Sequence, residues 1–200
     1  MNPFNYKYWK LNNVVSDETR DFVLTSLSDK SFKEGLILDK DGNPVLDKKA
    51  RNNKVVFADG QFLRDVFTPY IDKANSSSGW NYYIDWLEDV QVSKYGVNEH
   101  YGWHHDAMHY TKGVGHEKYE GRERKLTAVT LISDDFSGGE FELSHQIIGD
   151  NNDIKIEVLP VDLSLGDILV FPSFVWHRVK PVTSGIRHSM QVWCLGPPFK

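Results

Sequence analysis

The sequence predicts a mainly β protein, a sandwich or a jelly-roll barrel, with helices before it. Short apolar or alternating runs follow one another from Trp80 onward, and turn-forming residues separate them. Ile154, Ile156 and Val158 alternate with charged residues, which is the period of two typical of a strand with one solvent-exposed face. This succession favours many short strands over an alternating βαβ sheet, which would need a helix between successive strands.

Two helices are predicted in the first third of the chain. Ser16 begins the first, because a short polar side chain accepts free backbone amides at a helix start, and this helix runs to about Leu27. The second spans residues 61–73, where apolar residues recur at spacings of three and four. Pro69 lies within it and predicts a kink or an early end.

The segment 36–54, between the two helices, is rich in turn-forming and charged residues. Turn formers are densest from Asp39 to Pro44, and a charged run follows at 47–51. We expect an exposed, mobile loop here, and loops of this kind often close over a bound substrate. The segment is therefore a candidate lid over an extended peptide.

The rest of the chain gives six strands within one domain. The predicted strands span 89–95, 125–133, 140–144, 153–159, 167–171 and 188–195. A length of 200 residues suits a single domain, 1–200, with helical support over about 1–79 and a jelly-roll core over about 80–200.

Composition argues against several classes of protein. The 23 Lys and Arg residues against 28 Asp and Glu give a net charge of −5, which disfavours a nucleic-acid partner. We find no signal-type start and no apolar run of membrane-spanning length, so we expect no membrane partner. Cys194 is the single cysteine and cannot form an intramolecular disulfide, which fits a reducing, cytoplasmic location.

A cluster of histidines between residues 100 and 109 suggests a metal site, although a polar loop with incidental histidines is the alternative. Residues two apart on a strand face the same side, so His104 and Asp106 could bind one ion while His105 points away. His177 is the natural third ligand, because it follows a buried-strand pattern that ends at Pro172. We expect the turn there to point both Trp176 and His177 inward.

Two histidines and one carboxylate form the ligand set of non-haem Fe(II) oxygenases, which leaves positions open for a co-substrate and O2. A zinc hydrolase could use the same ligands, but nothing in the sequence marks a separate general base. Arg187 follows His177 on the expected next strand, where its guanidinium could pair with a carboxylate of 2-oxoglutarate. The alternative for Arg187 is an ordinary surface cation.

Taken together, these motifs resemble the Fe(II)- and 2-oxoglutarate-dependent dioxygenases of the prolyl-4-hydroxylase type. The resemblance covers about residues 90–199. It rests on 95–106 with its His-x-Asp pair, on 124–143 with its Gly-Gly-Glu turn, and on 166–187 with its Trp-His pair and final arginine. Each motif is weak evidence alone, but their order and spacing make the set specific.

The resemblance implies a double-stranded β-helix, a jelly-roll or cupin-like core flanked by N-terminal helices. It implies that His104, Asp106 and His177 hold Fe(II), and it gives no catalytic residue beyond these ligands. It also implies that Arg187 binds the distal carboxylate of 2-oxoglutarate and that Tyr95 places its hydroxyl against this co-substrate. The positions that face substrate in the family correspond here to Tyr101, Arg124 and Trp193.

Some assignments stay open at the level of sequence. The aromatic residues among these candidates could instead simply pack the barrel, which is the usual role of aromatic residues in strands. Thr127 and Thr130 fall on opposite faces of one strand, so at most one of them faces the pocket.

The activity that the resemblance implies is hydroxylation of an unactivated C–H bond, with 2-oxoglutarate and O2 converted to succinate and CO2 and with ascorbate as an optional reductant. The expected substrate is a peptidyl proline of a protein or peptide partner. A free amino acid or another small molecule is one alternative, and a non-catalytic jelly-roll metal-binding module is another. The carboxylate of Asp106 disfavours halogenation. Arg187 indicates the Arg-bearing, bacterial and phage-like branch, because many members with collagen-like substrates carry Lys there.

Overall fold

The computed structural model describes residues 7–27, 32–58, 60–110, 119–148 and 154–199. Two helices are present among them, α1 (Asp17–Leu27) and α2 (Gln61–Ser77). The strands before residue 90 are β1 (Trp9–Leu11), β2 (Lys33–Glu34), β3 (Ile37–Leu38), β4 (Pro44–Val45), β5 (Arg51–Asn52), β6 (Lys54–Ala58) and β7 (Trp86–Leu87). The later strands are β8 (Val90–Tyr95), β9 (His100–His104), β10 (Glu123–Leu131), β11 (Phe136–Gly138), β12 (Phe141–Ile148), β13 (Ile154–Val161), β14 (Ile168–Pro172), β15 (Trp176–Val179), β16 (Val182–Gly185) and β17 (Arg187–Gly196).

Two antiparallel sheets form the body of the protein. The larger has eight strands in the order β1-β14-β10-β17-β8-β6-β2, with β7 paired to β17. The smaller has five strands in the order β13-β12-β15-β9-β5. The first third of the chain therefore adds strands to both sheets as well as two helices.

Apolar side chains fill two layers, one on each side of the larger sheet. The layer under the helices joins α2 to the sheet through residues such as Phe67, Ile71 and Val192. The layer between the two sheets contains Phe171 from the larger sheet and Leu143 from the smaller one. The larger sheet is thus buried on both faces, which explains why β14 is a continuous buried run rather than an alternating one.

The predicted helices are confirmed, with one correction. The Ser16 hydroxyl accepts the backbone amide of Thr19 at 3.2 Å, as expected at the start of α1. An early end at Pro69 is wrong, because α2 continues through it to Ser77. Proline inside a helix costs about 3 kcal/mol. Burial of large side chains such as Phe67 and Ile71 stabilises by about 1.5–3 kcal/mol each, so packing outweighs the local cost.

The segment 36–54 is largely exposed, as expected, but it contains paired strands and is not an irregular loop. Strands β3 and β4 form a hairpin, and β5 pairs with β9 of the smaller sheet. The Asp39 carboxylate accepts the backbone amides of Asp41 and Asn43, each at 2.9 Å, which closes the hairpin turn. The hydrogen bonds from Asn43 are the largest cause of a lowered pKa at Asp39.

All six predicted strands are present, as β8, β10, β12, β13, β14 and β17. The strands that sequence reasoning missed have five residues or fewer, and such short strands show no measurable period. The fold class, mainly β with two helices, is confirmed for the described part of the chain. Neither of the two helices found there has the length and hydrophobicity that crossing a membrane would require.

Candidate active site

One large pocket, with a volume of about 840 Å³, lies between the two sheets. Volumes of this size are typical of small-molecule sites. The pocket brings together residues that are far apart in sequence, and its lining includes all eight of the predicted site residues: Tyr95, Tyr101, His104, Asp106, Arg124, His177, Arg187 and Trp193.

The three predicted metal ligands meet at one end of this pocket. His104 ends β9, His177 lies in β15, and the pairing of these strands sets the two residues opposite each other. The nearest His104 Nε2 and Asp106 oxygen are 3.8 Å apart, and the His177 Nε2 lies 3.4 Å from the other Asp106 oxygen. All three ligand atoms lie within 4.8 Å of one another, so they could occupy one face of a single ion.

Backbone carbonyls orient both imidazoles. The Nδ1 atom of His104 lies 2.8 Å from the Gly102 carbonyl oxygen, and that of His177 lies 3.0 Å from the Val175 carbonyl oxygen. A carbonyl oxygen can only accept a hydrogen bond, so each Nδ1 carries the hydrogen and each Nε2 keeps a lone pair. Both lone pairs are therefore available to a metal, as is usual for histidine ligands.

Hydrogen bonds to neighbouring segments hold the side chain and the backbone of Asp106 in place. The Thr127 hydroxyl donates to Asp106 Oδ2 at 2.9 Å, and the Asp106 amide donates to the Ser173 carbonyl at 2.8 Å. Thr127 lines the pocket, whereas the buried Thr130 does not. The structure thus decides which of the two threonines faces the site.

Electrostatics keep Asp106 and His104 in the protonation states that metal binding needs. Burial acts to raise the pKa of Asp106, but the nearby His177 and His104 lower it to about 2. Burial is also the largest effect on His104, whose pKa it lowers to about 3 with help from His177. An ionised carboxylate beside a neutral imidazole is the donor set that suits a divalent cation.

Arg187 lies on the wall of the same pocket and is almost fully buried, with 2% of its surface exposed. Its Nη1 donates to the Ser189 hydroxyl at 3.0 Å, while its buried Nε has no hydrogen-bond partner. No carboxylate pairs with it among the described residues, and burial lowers its pKa. A buried guanidinium with free donors is a site for a carboxylate ligand.

The glycine turn at 138–139 makes room for this arginine. A Cβ added to Gly139 would lie 2.8 Å from the Cδ of Arg187, and the φ of Gly139 is +66°. Phe141 follows two residues later and stacks on His177 with 5.6 Å between ring centroids. One short stretch of chain therefore contacts both the arginine and a histidine of the triad.

Comparison with known proteins agrees with this geometry. Residues 90–195 match the model of the 2OG-Fe(II) oxygenase superfamily, which covers more than half of the chain and every predicted site residue. The chain belongs to this superfamily. The triad and the buried Arg187 suit the Fe(II) ion and the dicarboxylate 2-oxoglutarate for which this superfamily is named.

A similar protein by sequence is a PKHD-type hydroxylase of Synechococcus sp. (strain CC9902), which is 29% identical over 103 residues. The match covers 50% of this chain but only 38% of that protein. The chain thus spans well under two thirds of the length of the curated relative that it matches.

Solved structures of low sequence identity share the fold. A prolyl hydroxylase from Trichoplax adhaerens, in complex with a hypoxia inducible factor peptide fragment, has a TM-score of 0.68 at 20% identity, covering 95% of this chain and 84% of that chain. A viral collagen prolyl hydroxylase from Paramecium Bursaria Chlorella virus-1 has a TM-score of 0.63 at 16% identity, covering 98% and 99%. These likenesses confirm the jelly-roll core.

Two tyrosines line the pocket in different ways. Tyr95 is buried and lies opposite Arg187 on the neighbouring strand, with the guanidinium 5.4 Å from its ring centroid. Tyr101 stacks flat on His104, with 3.5 Å between centroids and 10° between planes. Burial raises the pKa of Tyr101 to about 12, so its hydroxyl stays protonated at neutral pH.

Arg124 lines the pocket, but its charge is already paired. Its Nε and Nη2 donate to the two oxygens of Glu88 at 2.7 and 2.8 Å, and its guanidinium lies 3.9 Å from the centre of the Trp193 ring. Tyr110 also donates to Glu88, at 2.9 Å. Burial acts to lower the pKa of Arg124, but the Glu88 carboxylate raises it overall.

The pocket mouth carries exposed apolar side chains. Trp176 was expected to point inward with His177, but half of it is exposed at the rim, where its ring contacts the exposed His105. This expectation is wrong because neighbours on β15 point to opposite faces. The other exposed large apolar residues of the lining are Leu36, Leu38, Phe57 and Trp103.

Sequence reasoning missed several polar residues of the pocket. Gln91 and Gln191 both donate to the Ser93 hydroxyl, at 3.1 and 2.6 Å, and Glu88 pairs with Arg124. Gln91, Ser93 and Ser189 are buried polar residues inside strands, and a polar residue at a core position is the one signal that could have drawn attention to them.

Proposed function

We propose that this oxygenase hydroxylates a peptidyl proline of a protein or peptide partner. In the balanced reaction the substrate C–H bond, 2-oxoglutarate and O2 give the C–OH product, succinate and CO2. The observation that carries the proposal is the buried, unpaired guanidinium of Arg187 in the same pocket as the metal triad. The two similar solved structures are named as prolyl hydroxylases, which supports the choice of proline.

Different residues of the pocket would bind the metal, the co-substrate and the substrate. His104, Asp106 and His177 would hold Fe(II), which supplies the activation of O2 when bound. Arg187 would bind the distal carboxylate of 2-oxoglutarate through its free donors, and Tyr95 would lie alongside. Tyr101, Arg124 and Trp193 are the proposed substrate-facing residues, with Glu88 fixing the position of Arg124.

The charges of the pocket favour a peptide over a free amino acid. Glu88 and Asp106 are the carboxylates among the described residues of the lining. Glu88 is paired with Arg124, and Asp106 is committed to Thr127 and the two histidines. A free amino acid would bring an ammonium group that finds no unpaired carboxylate here, whereas a peptide brings neutral backbone groups.

The apolar rim also suits a peptide. Leu36 and Leu38 come from the β3-β4 hairpin, and Trp103 and Trp176 come from the smaller sheet. Their exposed surfaces surround the opening to the metal triad, so residues that flank the target proline would pack against them. We propose that this hairpin is the part of segment 36–54 that covers a bound peptide.

Succinate formation from 2-oxoglutarate tests the proposed activity. Purified protein with Fe(II) and ascorbate in air should form succinate, faster when proline-containing peptides are added, and mass spectrometry should find one added oxygen on proline. Asp106→Ala should lower turnover by at least about 100-fold, because it removes the charged metal ligand. Asp21→Ala, at an exposed position of α1, is the matched control and should keep wild-type turnover.

The outcomes separate the alternatives. An added oxygen on free proline or another amino acid, with capped peptides unmodified, would replace the peptide proposal with the small-molecule one. Equal turnover of wild type and Asp106→Ala would contradict the assignment of the triad.

Two leucines test the role of the hairpin. Leu36→Ser with Leu38→Ser should raise the KM for a peptide substrate by about tenfold, because two apolar contacts are lost, and should leave the KM for 2-oxoglutarate unchanged. Leu46→Ser is the matched control, since Leu46 is equally exposed but does not line the pocket. Equal effects of the two changes would rule out a specific role for the hairpin.

A further inference from the structure

Arg51 is a buried cation near the metal triad, with only 8% of its surface exposed. It lies on β5, opposite Tyr101 of β9. No carboxylate pairs with it among the described residues; its partners are neutral. Burying a charge in this way is costly unless the surroundings compensate it, so the contacts of its guanidinium indicate what the residue does.

On one side, Arg51 holds the base of the β3-β4 hairpin. Its Nη1 donates to the Leu36 carbonyl at 2.9 Å, and its Nε donates to the Asn53 side chain at 2.8 Å. Gly35 packs against the same group, since a Cβ added there would lie 2.6 Å from Arg51 Nε. The guanidinium therefore holds the backbone at the start of the hairpin, together with the hydrogen bond from the Gly35 amide to the Asn53 carbonyl.

On the other side, Arg51 covers the tyrosine that packs against a triad histidine. Its Cζ lies 4.5 Å from the centre of the Tyr101 ring, a cation–π contact. The same ring of Tyr101 stacks flat on His104, with 3.5 Å between the ring centroids. Guanidinium, phenol and imidazole thus form a continuous contact from the hairpin to the triad.

We propose that Arg51 is a positioning residue, which holds the ring of Tyr101 against His104 and ties the β3-β4 hairpin to the metal centre. The inference rests on the proposed function, because it takes His104 as a ligand of the metal. It extends that function by connecting the segment that covers the peptide with the geometry of the metal site.

The chemistry of arginine suits this role. A planar guanidinium can stack on a ring and donate in its own plane at the same time, whereas a lysine ammonium is a point charge that cannot do both. We therefore expect Arg51→Lys to hold the Tyr101 ring and the hairpin only in part, and Arg51→Gln to hold neither.

Titration of the full chain with Co(II), followed by its visible absorption, tests the connection without a substrate. Arg51→Gln should weaken Co(II) binding by about tenfold and change the absorption band, since partners that orient metal ligands contribute about 10- to 100-fold to affinity. Tyr101→Leu should cause a similar loss. Tyr101→Phe should bind as wild type, because the stack needs the ring and not the hydroxyl. Hydrogen exchange of amides 33–46 should quicken in Arg51→Gln.

Two controls make the result specific. Arg178→Gln removes another cation that lies over an aromatic ring, 4.6 Å from the Trp103 centroid, and should leave Co(II) binding within about twofold. In the double variant Arg51→Gln with Tyr101→Leu, the loss should not exceed that of either single variant, because both changes break one contact chain.

Additive losses in the double variant, or wild-type Co(II) binding by Arg51→Gln, would overturn the role of Arg51 and leave the proposed function intact. Faster exchange in the hairpin without a change at the metal would overturn it equally. If wild type bound no Co(II), the metal site itself would be refuted, and the inference with it.

Discussion

The two faces of β17 differ in chemistry although both are buried. The face toward the helices is apolar and consists of Met190, Val192 and Cys194. The face toward the pocket carries Arg187, Ser189, Gln191 and Trp193. Because successive residues of a strand point to opposite sides, one strand supplies both the packed core and the wall of the active site.

This comparison teaches that burial alone does not identify a core residue in this fold. Met190 and Arg187 are 0% and 2% exposed, yet one has apolar neighbours and the other has unsatisfied donors. The same contrast holds on β10, where the hydroxyl of Thr127 binds Asp106 and that of Thr130 has no partner. The four predictions below test whether the faces are separable.

Met190→Ala should have the largest effect on stability. Removing a fully buried methionine leaves a cavity in the helix-side core and should lower the free energy of unfolding by about 2–5 kcal/mol. Urea denaturation measures this change. The KM for 2-oxoglutarate should stay at its wild-type value, and a clear rise in it would show that the two faces are coupled.

Arg187→Met, on the pocket face, should weaken the binding of 2-oxoglutarate and not the stability of the fold. The methionine keeps much of the stem of the side chain, but the charge-assisted hydrogen bonds to a carboxylate are lost, so affinity for 2-oxoglutarate should fall by about 10- to 100-fold. The 2-oxoglutarate dependence of succinate formation measures this loss. The affinity of Arg187→Lys for 2-oxoglutarate should lie between those of wild type and Arg187→Met. Unchanged affinity in Arg187→Met would place the co-substrate elsewhere.

Thr127→Val should have a smaller effect, confined to the metal. It removes the hydrogen bond to Asp106 at nearly constant volume, and metal affinity should fall by about tenfold. Thr130→Val is the matched control, because its buried hydroxyl has no partner, and it should leave both metal affinity and stability nearly unchanged. Equal metal affinities in the two variants would contradict the role of Thr127.

His188→Gln should have the smallest effect, on the pH dependence of stability. Burial is the largest cause that lowers the pKa of His188, to about 4, and Lys94 adds to it. The unfolded chain takes up a proton below about pH 6.5 while the folded protein resists it, so stability falls as pH drops from 6.5 to 4. Melting temperatures across this range should fall less steeply in His188→Gln than in wild type.

The exposed His105→Gln is the control for that measurement and should follow the wild-type curve. Parallel curves for wild type and His188→Gln would show that His188 contributes nothing to the acid sensitivity of this face.

Much of the fold could be predicted from patterns within single segments. The Ser16 helix start and the alternation along β13 are local signals, and the structure contains both elements. The alternation does not predict burial, however, because Ile156 and Val158 are exposed like the charged residues between them. The short strands of segment 36–54 could not be predicted this way. Strand β5 has two residues, which is too short to show a period of two in the sequence. It forms because it pairs with β9.

The sequence by itself determined the main chemical groups of the site. His104 and Asp106, two residues apart, and then His177 and Arg187 in order were enough to predict a metal site and a carboxylate site, because residue type and spacing fix which chemistry is available. Only the tertiary structure decided how these groups are held. Glu88 pairs with Arg124, and Arg51 lies over the Tyr101 ring. Strand register and side-chain packing bring these residues together from distant segments, so no local pattern in the sequence predicts the contacts.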